Sequence, residues 1–145
     1  MRRLVLVLRL ILGLVFLYAA YTKLREPWMV FAMSIDAYQL LPQWAVLLLG
    51  HWLPWFELLL GVFLAAGILL RYTAATATGL LMVFFTLMTR AYLKGMAIDC
   101  GCFGSGEVIS VKTLARDGLL LVLSIALTLL AVSTSRTSPR TRVVA

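Results

Sequence analysis

The sequence predicts an all-α integral membrane four-helix bundle, with a short interfacial helix between the first and second spans. Three observations carry that reading. Of 145 residues, 63% are hydrophobic, and the mean hydropathy is +1.01. Four windows of roughly 20 residues, the length of helix that crosses a bilayer, are nearly free of charge. The basic residues gather mostly at the ends of those windows and in the C-terminal segment. A soluble domain carries a far more even balance of apolar and charged residues, so water is not this chain's main solvent. Residues 1–132 read as one helical domain and residues 133–145 as a basic tail.

The first window, residues 4–24, runs from Leu4 to Leu24, is interrupted by Arg9 and carries Lys23 near its end. Its apolar stretch is longer than the core of a signal peptide and Tyr18-Ala-Ala-Tyr-Thr is a poor cleavage site, so it reads as a retained helix. Pro27 to Pro42 is too short and too mixed to span. Trp28, Phe31, Ile35 and Tyr38 recur there at helical spacing, which predicts an amphipathic helix on the membrane surface and a candidate lid. The second window, residues 44–70, contains His51, Pro54 and Glu57. The third, residues 73–93, has Arg90 near its end, and the fourth, residues 114–132, has Arg116 and Asp117 in its first turn. Small residues four apart, Gly61 with Ala65 and Ala75 with Gly79, are candidate close-packing contacts, because lipid supplies no hydrophobic drive for helices to associate. After Val132 the chain is polar and basic without apolar periodicity, which predicts disorder.

Four spans put both termini on one face. That face carries Arg2, Arg3, Arg71, Arg136, Arg140 and Arg142 with no acid among them. The other carries Lys23, Arg25, Arg90, Lys94 and Lys112 together with Glu26, Asp36, Asp99 and Glu107. The basic terminal segments favour cytoplasmic N- and C-termini and an extracytoplasmic loop between the third and fourth spans. The net charge of +7 therefore points to lipid headgroups, and not to nucleic acid.

That loop holds the densest cluster of chemistry, Asp99-Cys100-Gly101-Cys102-Phe103-Gly104, with the chain's two cysteines. A disulfide wants Cα atoms roughly 4.4–6.8 Å apart, which residues two apart can just meet, and Gly101 eases the backbone. A strained, exposed bridge exchanges readily with another protein's thiols, whereas one closing so small a ring adds little stability. A redox pair is thus the sharper reading, with a static bridge or two free thiols as the bland one. Asp99, next to Cys100, opposes a thiolate there, which leans the attacking role toward Cys102. Two thiolates and the distant His51 do not make a closed zinc site, a single histidine does not provide bis-histidine haem ligation, and no flavin signature is evident. Glu57 is an acid within a span and calls for a partner; Lys23 at the end of the first helix is the expected one. Either a structural ion pair or a part in proton or quinone handling fits it. Trp52 and Trp55, near Glu57, are candidate walls of a quinone pocket.

Taken together, Arg9, the run from Tyr18 to Lys23, Pro27, Tyr38-Gln-Leu-Leu-Pro42, Pro54-Trp-Phe-Glu57 with Leu58 to Gly61, Gly67, Arg71 and Cys100-Gly-Cys-Phe-Gly104 resemble the MauE branch of the DoxX-like membrane proteins. The likeness covers about residues 4–132. It implies a bacterial inner-membrane, multi-pass four-helix bundle that works with redox proteins, often a thioredoxin-like partner, in methylamine utilisation. The expected function is a thiol-disulfide relay between an extracytoplasmic thioredoxin-like or cysteine-rich protein and membrane quinone. The rivals are a non-enzymatic membrane scaffold or maturation factor for a secreted partner, and a DoxX-type quinone oxidoreductase subunit acting on a small sulfur compound.

Overall fold

The computed structural model describes residues 1–137, and the positions of four long apolar helices in it are those of a membrane-spanning bundle. The spans are α1 (Arg2–Arg25), α3 (Gln43–Ala66), α4 (Leu70–Leu93) and α5 (Val111–Thr137); the short α2 (Trp28–Asp36) follows α1. Large apolar side chains such as Leu14, Leu59, Val83, Leu119 and Leu129 cover the outside, as lipid contact requires. Leu12, Phe16, Leu60, Leu64, Ala77 and Leu127 fill the centre.

α1 packs chiefly on α3 and α4 on α5, while narrower contacts of α1 with α5 and of α3 with α4 close the ring. The α1–α3 crossing is close because both helices present glycine. A Cβ built on Gly13 would stand 2.9 Å from Ala65 N, and one on Gly61 would stand 2.9 Å from Leu17 N. This register also carries the end of α1 to the middle of α3. Ala75 and Gly79 do not act in this way: both are exposed, and a Cβ on Gly79 would meet nothing within 4 Å. α4 instead meets α5 through hydroxyls, Thr78 Oγ1 lying 2.7 Å from Ser124 Oγ and 3.0 Å from Thr128 Oγ1.

Several boundaries move. α3 ends at Ala66, four residues before the Leu70 expected from hydropathy, because Gly67 takes φ +73° and its N–H bonds back to Leu64 O. α5 continues through Ser133 to Thr137, past the Val132 at which the tail was expected to begin, and the remainder of that tail lies outside the described residues. The segment between α4 and α5, read from the sequence only as a loop, contains an antiparallel hairpin of β1 (Asp99–Gly101) and β2 (Gly104–Val108). Gly101 pairs with Gly104 across it, at φ +72° and +84°, so Cys102 and Phe103 are the two turn residues. Glycines flanking a two-residue turn were the local signal for this hairpin.

α2 folds back against α3, where a Cβ on Gly50 would come within 2.6 Å of the Ala32 Cβ. Its buried face is Phe31, Ala32 and Ser34; Trp28 is exposed. That face roofs the hairpin. Gly101 lies under Ser34 and Phe31, and Tyr38 Oη donates a 3.0 Å hydrogen bond to Cys100 O.

Candidate functional site

The hairpin places Cys100 on a strand and Cys102 in the turn, tucked between the ends of α1, α4 and α5. Both are free thiols. Cys100 is wholly buried and Cys102 half-buried, which corrects the expected exposed pair: α2 covers the strand, and the turn points into the bundle. Cys102 Sγ lies 3.2 Å from Asp117 Oδ2 and 3.6 Å from Met88 Sδ. Cys100 Sγ lies 3.7 Å from Glu107 Oε2.

Arg116 joins the two acids. Its Nη1 donates to Glu107 Oε1 and Oε2 at 2.7 and 2.8 Å, and its Nε donates to Asp117 Oδ1 at 3.0 Å. Its guanidinium carbon stands 4.4 Å from the centre of the Phe103 ring, which in turn packs against Tyr18 at 5.7 Å. The result is a closed circuit, cysteine to acid to arginine to acid to cysteine, held on one side by a strand and on the other by the first turns of α5.

The two thiols are held apart electrostatically. The adjacent Cys102 lowers the pKa of Cys100 against the opposing effect of burial. The adjacent Cys100, burial and the nearby Asp117 push Cys102 well above the usual thiol range. Tyr38 is likewise raised, by burial first and then by the cysteines, so its hydroxyl stays a donor. Asp99 is next to Cys100 in the chain, but its carboxylate accepts from Gly106 N at 3.3 Å, while Asp117 comes from α5 to face Cys102.

Lys23 and Glu57 are brought together: Lys23 Nζ donates to both Glu57 oxygens, at 2.8 and 2.7 Å, with the residues 2% and 3% exposed. Phe31 and Phe84 lie within 4.8 and 5.4 Å of the ammonium. A cavity of about 30 Å³ connects this pair to the hairpin, lined by Glu57, Cys102, Asp117 and apolar side chains including Phe16, Ala19 and Phe103.

Trp52 and Trp55 do not join Glu57 around a pocket. They are 62% and 53% exposed and point outward, because residues two and five positions from Glu57 fall on the far side of a helix. Trp52 and Trp28 instead lie edge-on to His51, each at 5.5 Å. A larger groove opens elsewhere. It has about 690 Å³, runs between α1, α5 and the hairpin, and is lined by Leu14, Val15, Tyr18, Phe103, Glu107 and Arg116 among others. Its size suits a small organic molecule, and its mixed lining offers apolar walls with a polar end. Among the described residues, no cluster of three histidine, cysteine or acidic side chains is arranged to hold a metal ion.

Sequence reading missed Glu107, Arg116, Asp117 and Tyr38 as members of the site. The available signal was the Arg116-Asp117 pair at the start of a span, where charge is costly and demands partners.

Comparison with known proteins gives one family. The model of methylamine utilisation protein MauE matches residues 1–131. Methylamine utilization protein MauE of Paracoccus denitrificans is 32% identical over 123 residues, which cover 83% of this chain and 66% of that protein. The chain thus spans just under two thirds of the length of this curated relative. No solved structure matches.

Proposed function

The chain belongs to the MauE family of methylamine utilisation proteins, and on that footing we propose that it is a membrane thiol-disulfide relay. Cys100 and Cys102 exchange with an extracytoplasmic thioredoxin-like or cysteine-rich protein, and electrons pass to or from membrane quinone. The setting is the one the family's name supplies, methylamine utilisation.

The observation that carries this reading is geometric: one hairpin holds both thiols a single residue apart, each against an acid that Arg116 ties to the other. A relay needs one sulfur that ionises near neutral pH to meet the partner, and a second that keeps its proton until it closes the bond. The surroundings of the hairpin lower the pKa of Cys100 and raise that of Cys102, which is the asymmetry such a pair needs. Phe31 of α2 and Tyr38 just beyond it cover the strand that carries Cys100.

Closing the bridge removes two S–H bonds, forms one S–S bond and releases two electrons and two protons; reduction of a quinone to its quinol takes up the same number. The groove between α1 and α5 is the fitting place for the quinone ring, in place of Trp52 and Trp55. It opens beside lipid-facing Leu14, ends at Arg116, and shares Val15, Phe103 and Leu120 with the cavity that reaches Cys102.

The test is thiol trapping in intact cells with a membrane-impermeant alkylating reagent, with and without a reductant. The relay requires labelling from outside the cell that rises after reduction. Sulfurs reached only after the membrane is broken, or a bond that never turns over, would sink it. The burial of Cys100 favours one second reading, a scaffold in which the cysteines only shape the hairpin. Replacing both cysteines by serine separates the two, since a scaffold keeps its partner's oxidation unchanged.

A further inference from the structure

The half of the molecule opposite the hairpin holds a cation without a counter-ion. Arg9 stands about two turns, roughly 10 Å, along α1 from Arg2. Its guanidinium lies against the C-terminal cap of α3, where Gly67 leaves room for it: a Cβ at that position would collide with Arg9 Nη1. Arg9 Nε is buried and has no hydrogen-bond partner among the described residues. The other such nitrogen, Nη2 of Arg116, belongs to a guanidinium that already grips Glu107 and Asp117. Arg9 has no acid to grip. None of the chain's six acidic residues lies on the terminal side, and the deepest of them, Glu57, is taken by Lys23. A second copy of the chain would bring the same deficit. The end of α3 offers only the partial negative charge of its carbonyls, whereas an arginine drawn into a span calls for a full one.

We infer that Arg9 is the floor of a site for the phosphate group of an anionic phospholipid. A groove of about 420 Å³ opens beside it, between α1 and α5, lined by Arg2, Val5, Leu6, Arg9 and Thr134. The four α1 residues stand at i, i+3, i+4 and i+7, so they share one helix face. Arg2 lies at the mouth and Arg9 at the inner end, with the apolar Val5 and Leu6 between them. Thr134 donates its hydroxyl to Leu130 O within α5 and brings no charge. The planar fork of a guanidinium donates to two phosphate oxygens at once, which supplies the anion that Arg9 lacks. Phosphate is the anion that a bilayer itself presents at the level of the helix ends, and basic pockets between spans are where such headgroups settle. Soluble phosphate has the same oxygens. The apolar walls favour the lipid, because Leu6 is exposed on the outer surface and gives acyl chains a face to follow. A lipid seated there would also bridge α1 and α5, whose direct contact is narrow.

The test uses the full chain in detergent micelles, with phosphatidylglycerol and phosphatidylcholine of the same acyl chains added in equal amount and the bound lipids counted by native mass spectrometry. Both lipids carry a phosphate, but choline adds a compensating cation to the second. The expected result is a preference of the wild type for phosphatidylglycerol that falls by about tenfold in Arg9→Gln. Arg71→Gln is the matched control, since Arg71 lies exposed over Tyr72 on the same side of the molecule and outside the groove. It should keep the wild-type preference. Equal losses in the two variants would reveal only the general attraction of a basic surface and overturn the site, as would a wild type without preference. Inorganic phosphate in millimolar excess separates the two sources. Phosphatidylglycerol retained against it supports the lipid, and full displacement assigns the site to soluble phosphate and overturns the lipid as its occupant. If Arg9→Gln does not fold, Arg2→Gln set against Arg71→Gln decides in the same way.

Discussion

Cys100 and Cys102 are separated by one glycine, yet they sit in opposed electrostatic positions, and that difference is measurable. Because the thiolate is the reactive form, alkylation of Cys100 should set in at lower pH than that of an ordinary thiol, since its pKa is lowered by the adjacent Cys102. Cys102 should stay nearly unlabelled over the same range, since its pKa is raised. Peptide mass spectrometry after timed alkylation at each pH reads both; equal labelling of the two sites would contradict the assignment. Residue-scale stability follows from the same buried charges. Glu57→Ala leaves the Lys23 ammonium without its partner, at a cost of about 3–5 kcal/mol, and Lys23→Ala costs similarly, while the paired replacement by Met and Leu stays close to the wild type. Thermal unfolding in detergent distinguishes these outcomes. Of this site, the cysteines, Lys23 and Glu57 were legible in the chain, because the rarity of sulfur and of buried charge marks them wherever they fall. Glu107 and Tyr38 were not, being polar residues of the kind that populate any loop.

At the scale of elements, the small-residue pairs teach where sequence spacing stops being informative. Gly61 and Gly79 each occur four residues from an alanine, but only Gly61 has another backbone against it. Gly61→Ala should therefore destabilise the bundle by about 1–3 kcal/mol through overpacking of α1 on α3. Gly79→Ala should be neutral or stabilising by a few tenths, because alanine is the better helix former and its methyl enters open space. Unfolding of the two variants in the same detergent checks this, and an equal loss at both sites would refute the packing account. α2 shows a related effect. Its helical period was readable from Phe31, Ile35 and Tyr38, whereas its role as a roof depends on Gly50 admitting Ala32, a contact between residues that nothing in the local pattern links. The hairpin was only faintly legible, through the glycines at its turn, since its strands contain few of the β-branched or aromatic residues that announce a strand and Phe103 lies in the turn.

Across the whole molecule, the four spans place the helix termini Arg2 and Arg136 at the end opposite the hairpin. If the basic terminal segments face the cytoplasm, as the distribution of arginine suggests, a green fluorescent protein fused after Ala145 should fluoresce and an alkaline phosphatase fused there should be inactive. The opposite pair of results would turn the cysteine hairpin toward the reducing compartment and remove the setting in which a disulfide relay works. The amino-acid sequence by itself determined that this chain crosses a membrane four times and carries one cysteine pair in the last connection, because both facts follow from local properties: runs of apolar residues long enough for a bilayer, and the position of rare side chains. Only the tertiary structure decided which residues meet. In a span that is apolar on every side, the faces toward lipid and toward neighbouring helices look alike in the sequence, so helix rotation is set by contacts such as Gly13 against Ala65. Those contacts bring Glu57 and Asp117 to one cavity with Cys102 and turn Trp52 and Trp55 away from it.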